Sequence, residues 1–208
     1  MSLRIHFARH GESQANLLHE ISNRGLKHGL TSFGRRQALT LAQRFRDGRV
    51  TRIYSSPLLR AIETSVILAV QLNIEYEITD ALREYDCGVL EGRSDAAAWA
   101  GWQSQYDAWM VHRRAFQKVE GGESYNDIQA RFTPFIADLI DRYGTSDIEI
   151  ICVSHGGLYM LMLPDLLANI DAAYLSRSGF KNTDFLTAEL RKESLYALEW
   201  NGQPLVLG

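Results

Sequence analysis

The chain has 208 residues, 46% of them hydrophobic and 23% charged, with a formal net charge of −3. That is enough for one large domain, or at most two small ones, with a sizeable core, and it excludes a general pull toward nucleic acid or an anionic membrane. Cys87 and Cys152 lie far apart and form neither a metal pair nor a disulfide framework, no signal-peptide pattern opens the chain, and no apolar stretch reaches bilayer length, so a soluble, cytoplasmic protein is expected.

The alternating run Leu3-Arg4-Ile5-His6-Phe7 predicts an opening strand, followed by a turn at Gly11 and a helix from Gln14 capped by Ser13. A polar loop at 22–29 leads to Thr31-Ser32, a cap for a helix whose Ala38, Leu41, Ala42 and Phe45 recur at helical spacing up to a stop at Asp47-Gly48. A short strand at Arg52-Ile53-Tyr54-Ser55 precedes Ser56-Pro57, read as cap and first helical residue of a largely buried helix from Leu58 to about Leu72. Arg60 then falls in its first turn. Residues 75–78 read as another strand, with a loop through Glu84 beyond it.

Trp99, Trp102, Tyr106 and Trp109 share one face of a helix predicted over 95–112. This stripe reads as a core seam or as a lid over a pocket. Ser124 caps a long helix with Ile128, Phe132, Phe135, Ile136 and Leu139 on its apolar face, which Pro134 is expected to kink or split. Ile148 to Val153 is nearly unbroken apolar, as in a central strand covered on both faces, and runs into Ser154-His155-Gly156-Gly157 and a helix up to Pro164. Two more strands are expected near 185–190 and 195–200. The alternation predicts an α/β fold, a three-layer α/β/α arrangement around a mostly parallel central sheet. Ligands bind beyond the carboxyl ends of such strands, where Arg9-His10-Gly11, Arg60 and His155 converge.

These residues suit a phosphate dianion. Arg9 and Arg60 supply guanidinium forks, Gly11 allows a backbone N–H to come close, and a protonated His155 adds a donor. His10 is then placed to attack phosphorus, and Glu84 to protonate the leaving alkoxide and later to deprotonate water. His6 and His10 have the spacing of helical metal ligands but lie on a strand and its end, and no Glu follows His6 as a zincin requires, so no metal is expected.

At these residues the chain resembles the histidine phosphatase superfamily, the phosphoglycerate mutase-like clan. Arg9-His10-Gly11-Glu12-Ser13 with Asn16, then Leu30-Thr31 with Gly34 and Gln37-Ala38, match in order. Ser55-Ser56-Pro57 with Arg60-Ala61 and Thr64, Leu82 with Glu84, Gly88 with Glu91-Gly92, Gly121-Gly122-Glu123-Ser124 and Val153-Ser154-His155-Gly156-Gly157 complete the series. The resemblance implies a phosphohistidine at His10, with Arg9, Arg60 and His155 around the phosphate, Glu84 as proton donor, and Gly11, Asn16, Thr31 and Gly156 at the substrate. It also implies no metal or other cofactor, and one domain over 1–208 with a variable helical insertion at about 93–122. Lys27-His28-Gly29 departs from the Asp and Pro often found before the Leu-Thr pair.

A phosphomonoester hydrolase acting on a small phosphorylated metabolite is favoured, because Glu84 is followed by Tyr-Asp-Cys-Gly-Val-Leu-Glu-Gly and the chain is short for a mutase. The alternatives are a phosphoglycerate mutase-type phosphotransferase and a non-catalytic phospho-ligand module. Arg113 and Arg114 resemble the paired arginines of a mutase, and with Trp102 and Trp109 they are the candidates for specificity. The expected partner is a small phosphorylated substrate, not nucleic acid or membrane, on a monomer or homodimer.

Overall fold

The computed structural model describes residues 2–46 and 48–205. Strand β1 (Arg4–Arg9) and helix α1 (Gln14–Leu18) lead to α2 (Ser32–Arg44), β2 (Val50–Ser55), α3 (Leu59–Leu72) and β3 (Tyr76–Ile78). Then follow α4 (Ala96–Met110), α5 (Tyr125–Tyr143), β4 (Glu149–Ser154), α6 (Gly156–Leu166), α7 (Ala172–Ser178), β5 (Phe185–Arg191), β6 (Ser194–Trp200) and β7 (Gln203–Pro204).

The strands form one sheet in the order β3-β2-β4-β1-β5-β6-β7. Strands β3, β2, β4 and β1 run parallel, as expected, and β5, β6 and β7 extend the sheet antiparallel. The sheet is therefore mixed. Only Lys192-Glu193 separate β5 from β6, with Lys192 at φ 56°, and so short a link closes a hairpin but cannot carry a parallel crossover.

Alternation along the central strands builds a core on each face. From β1 and β4, Ile5, Phe7, Ile150 and Cys152 point to one side, where α5 (Ile128, Phe132, Ile136) and α6 (Leu158, Leu161) cover them. Ala8, Ile151 and Val153 point to the other side, under Leu41 and Ala42 of α2 and Ala61 and Leu68 of α3. All of β4 is buried.

Three local expectations change. Pro134 neither ends nor divides α5, because it lies on the exposed face with Ala130, whose carbonyl loses its helical donor but faces water. Ser56-Pro57 do not start α3, which opens one residue beyond Leu58 without a side-chain cap. The Ser56 hydroxyl is already engaged by His155 Nε2 at 2.7 Å and by the Leu58 N–H at 3.3 Å. Helix α2 ends at Arg44 with Phe45 as its cap, and Asp47 of the expected stop lies outside the described residues. Both cysteines are free and buried. Among the described residues no helix is long and apolar enough to cross a membrane.

Candidate active site

The turn after β1 is built by close backbone packing. A Cβ on Gly11 would lie 2.5 Å from the Gly34 carbonyl oxygen, and one on Gly34 would lie 2.0 Å from that of Glu12, so neither position admits a side chain. The Gly11 N–H donates to Thr64 Oγ1 at 3.1 Å, and that hydroxyl donates to the Arg60 carbonyl at 2.7 Å. Gly11 is thus not a donor to an anion, contrary to expectation; it ties the His10 turn to α3.

His10 is 2% exposed. Arg60 Nε–H donates to His10 Nε2 at 3.1 Å, which makes Nε2 an acceptor and places the ring proton on Nδ1, 2.7 Å from the Gly11 carbonyl. Burial, then the charges of Arg60 and Arg9, hold the imidazole well below its ordinary pKa, so it is neutral with its Nε2 lone pair directed at the guanidinium. Burial also lowers Arg60, to about 10, which leaves it a cation at neutral pH.

Arg9 closes β1 and reaches across to α6. Its Nη1 donates to the Phe180 carbonyl, while its Nε–H is buried without a partner. His155 follows β4, with its ring centroid 5.0 Å from that of His10. Its Nε2 meets Ser56 Oγ and its Nδ1 has no partner. The expected protonated donor is absent here: burial, followed by the charge of Arg60, pushes the His155 pKa well down. The N-terminus of α6, just beyond, adds a partial positive charge.

Glu84 comes from the loop after β3. Arg83 and Arg131 grip Glu123 at 3.2 and 2.9 Å, and Glu123 accepts the Asp86 N–H at 2.8 Å, which fixes the loop on both sides of Glu84. The carboxylate accepts the N–H groups of Tyr85 (3.2 Å) and Gly157 (3.0 Å). A Cβ on Gly157 would lie 2.8 Å from Glu84 Oε1, so the second glycine after His155 makes room for the acid. Burial raises the Glu84 pKa above the ordinary carboxylate value, outweighing the nearby Arg60.

Arg9, His10, Asn16, Arg60, Glu84 and Gly156 all line one cavity of ≈ 440 Å³, within the usual range for small-molecule sites. His155 and Gly11 are buried beside His10 and are not among its lining residues. Asn16 Oδ1 accepts from Ser13 N–H (3.0 Å), Ser13 Oγ (3.1 Å) and Asn182 Nδ2 (3.2 Å), so its amide N–H groups remain for the cavity.

Thr31 is elsewhere: its hydroxyl donates to Glu12 at 2.7 Å and caps α2 by accepting the Gly34 N–H. Arg113 and Arg114 are exposed in the loop after α4, where Arg113 adopts φ 55°, and neither lines the cavity.

The aromatic stripe divides. Trp99, Trp102 and Tyr106 face the cavity. Trp109 is 3% exposed, stacks edge-on against Tyr85 at 5.3 Å, and donates its Nε1–H to the Gln117 carbonyl at 2.7 Å. Trp109→Ala should therefore cost about 3–5 kcal/mol of stability, read by denaturant unfolding, and leave the ranking of substrates unchanged. Trp102→Ala should instead alter KM between substrates. A reversal of the two behaviours would count against this division.

Residues 176–184 carry functional groups with no sequence signal of their own. Phe180 holds Arg9, and Asn182 Nδ2 bridges the His10 carbonyl (3.1 Å) and Asn16. Their only hint is position, in the connection leading into β5, the strand beside β1.

A family model described as the histidine phosphatase superfamily, branch 1, matches residues 5–203. Over 157 residues the chain is 31% identical to a probable phosphoglycerate mutase GpmB of Salmonella choleraesuis, a match covering 74% of this chain and 70% of that protein. A mycobacterial glucosyl-3-phosphoglycerate phosphatase complexed with VO3 superposes with a TM-score of 0.76 at 25% identity, covering 98% of this chain and 99% of that one. Phosphoserine phosphatase from Entamoeba histolytica, in complex with 3-phosphoglyceric acid, shares the fold with a TM-score of 0.78 at 24% identity, covering 97% and 98%. The motif series, the fold and the family match agree, and the chain belongs to the histidine phosphatase superfamily.

Proposed function

We propose that this enzyme is a phosphomonoesterase that works through a phosphohistidine at His10. The observation that carries the reading is the pairing of a neutral His10, its Nε2 held 3.1 Å from Arg60, with a buried carboxyl of raised pKa on the same cavity. Arg9, with its unpartnered Nε–H, and Arg60 bind the phosphate oxygens in place of water. The His10 Nε2 lone pair then attacks phosphorus as the P–O bond to the alcohol breaks, and Glu84 gives its proton to the departing oxygen. In the second half Glu84, now a carboxylate, takes a proton from the water that attacks the phosphohistidine; inorganic phosphate leaves and both residues return to their starting forms. His155 stands neutral in the free site, and an arriving dianion offsets the arginine charges that oppose its protonation, so it becomes a donor when the phosphate is present.

A mutase reading is supported by the name of the Salmonella relative. Against it, Arg113 and Arg114 lie outside the cavity. A paired assay separates the two: phosphate release from phosphomonoesters, and bisphosphoglycerate-dependent conversion of 3-phosphoglycerate, each with and without EDTA. The expected result is metal-independent phosphate release. Fast interconversion with negligible phosphate release would replace the phosphatase with a mutase, and loss of activity in EDTA would reopen metal chemistry.

A further inference from the structure

Beyond the phosphate position the cavity is one-sided in charge. Arg9 and Arg60 stand together beside His10, and none of the other described residues lining the cavity is cationic. The lining also carries Glu20, whose Oε1 accepts from Lys27 Nζ (2.5 Å) and His28 Nε2 (3.0 Å). Those hydrogen bonds hold its carboxyl below the usual range, and they engage the Lys27 ammonium. A second anionic group on the substrate would therefore find an ionised carboxylate and, beyond Arg9 and Arg60, no cation on the lining, only the neutral donors of Asn16, Ser22 and Ser176 against its desolvation cost.

What the wall does offer is flat apolar surface and hydrogen-bond acceptors. Trp99 is fixed by its Nε1–H on the His19 carbonyl at 2.8 Å and meets Trp102 edge-on at 5.8 Å. Trp102 in turn lies within 10° of parallel to Tyr106. Asn23 donates its amide to the Tyr85 carbonyl at 2.9 Å, and Gln103 donates to Asp107 at 2.9 Å, so each leaves a carbonyl oxygen for a donor on the ligand. Ser22 and Ser176 add hydroxyls.

Resting on the phosphatase reading of this cavity, we infer that the alcohol half of the substrate is an uncharged, hydroxyl-bearing ring of the glycosyl or ribosyl kind. Its face lies on the indole wall of Trp99 and Trp102, and its hydroxyls donate to Asn23 and Gln103. Aliphatic phospho-acids are excluded by charge and leave most of the cavity empty.

The test compares esters of similar leaving group that differ in charge and shape. Glucose 6-phosphate should exceed 6-phosphogluconate in kcat/KM by about tenfold or more, and ribose 5-phosphate should exceed 3-phosphoglycerate by as much. Trp99→Ala should lower kcat/KM for the sugar phosphates through KM and leave glycerol 3-phosphate nearly unchanged. Ser176→Arg, which adds a cation to the wall, should raise 3-phosphoglycerate relative to glycerol 3-phosphate. Equal or faster turnover of the carboxylate-bearing esters, or a Trp99→Ala effect that ignores the ring, overturns the inference while leaving the phosphatase intact. No phosphate release from any ester, p-nitrophenyl phosphate included, removes the phosphatase reading and this inference with it.

Discussion

His10→Ala should lower phosphate release by about 10⁴-fold or more and abolish transfer of labelled phosphate from substrate to protein. The magnitude follows from geometry: Nδ1–H is committed to the Gly11 carbonyl, so Nε2 is the one nitrogen of the ring with a lone pair toward the guanidinium of Arg60. No neighbouring group substitutes for it. His155 lies close, but its Nε2 is held by Ser56. The variant should remain folded, because the Gly11–Gly34 contact and the Thr64 hydrogen bond that shape the turn do not involve the imidazole. Label retained on the folded variant, or a loss under tenfold, would remove His10 from the role of nucleophile.

Glu84→Gln should separate substrates by their leaving groups. Alkyl phosphates, whose alkoxide needs a proton, should slow by about 10²–10⁴-fold, while p-nitrophenyl phosphate, with a leaving group that departs unprotonated, should lose far less. The same substitution reports on charge. Wild-type kcat/KM should fall as pH rises through the raised Glu84 pKa, because the acid form gives the proton, and it should fall at low pH only where His10 itself protonates, well below its ordinary value. In Glu84→Gln the alkaline fall should disappear.

The stability consequence has a definite sign. A carboxyl whose folded pKa is raised favours folding below its unfolded pKa and loses that advantage as pH rises through the folded one. Glu84→Gln should therefore be more thermostable than wild type at neutral pH, with the difference closing below the ordinary carboxylate pKa. Equal losses on both ester types, with an unshifted alkaline limb, would count against the acid role.

Much of the site was readable because its chemistry sits at strand ends, where periodicity switches from two to helical spacing. Arg9-His10, Arg60, Glu84 and His155 could all be named from that switch and from the motif series they belong to. Hydrogen-bond destinations were another matter. Nothing in Gly11 or Thr31 reveals whether a donor faces a ligand or is spent inside the fold; Thr64 decides it for Gly11 and Glu12 for Thr31, each from a distant part of the chain. The aromatic stripe is uniform in sequence, yet Trp99 is 36% exposed and lines the cavity, whereas Trp109 is 3% exposed and packs against Tyr85 in the core. The antiparallel half of the sheet was present as two strands too close in sequence, near 185–190 and 195–200, for a crossover between them. Asn182 and Phe180 had no pattern, since a loop that works through one amide and one carbonyl carries no periodicity.

The central place of β1 has a consequence for how the protein is made. Its neighbours are β4, whose Glu149 pairs with Arg4, and β5, whose Phe185 pairs with Ala8. The strand that carries Arg9 and leads into His10 thus pairs only with segments far along the chain, and it waits for both of them to be synthesised. A nascent chain stopped after α6 would hold every residue of the proposed chemistry, Arg9, His10, Arg60, Glu84 and His155, and still lack the Phe180 and Asn182 contacts that hold the first two. Arg9 and His10 are therefore held in place only once the connection into β5 has been made, so a chain stopped before it carries the motif without the contacts that set its geometry.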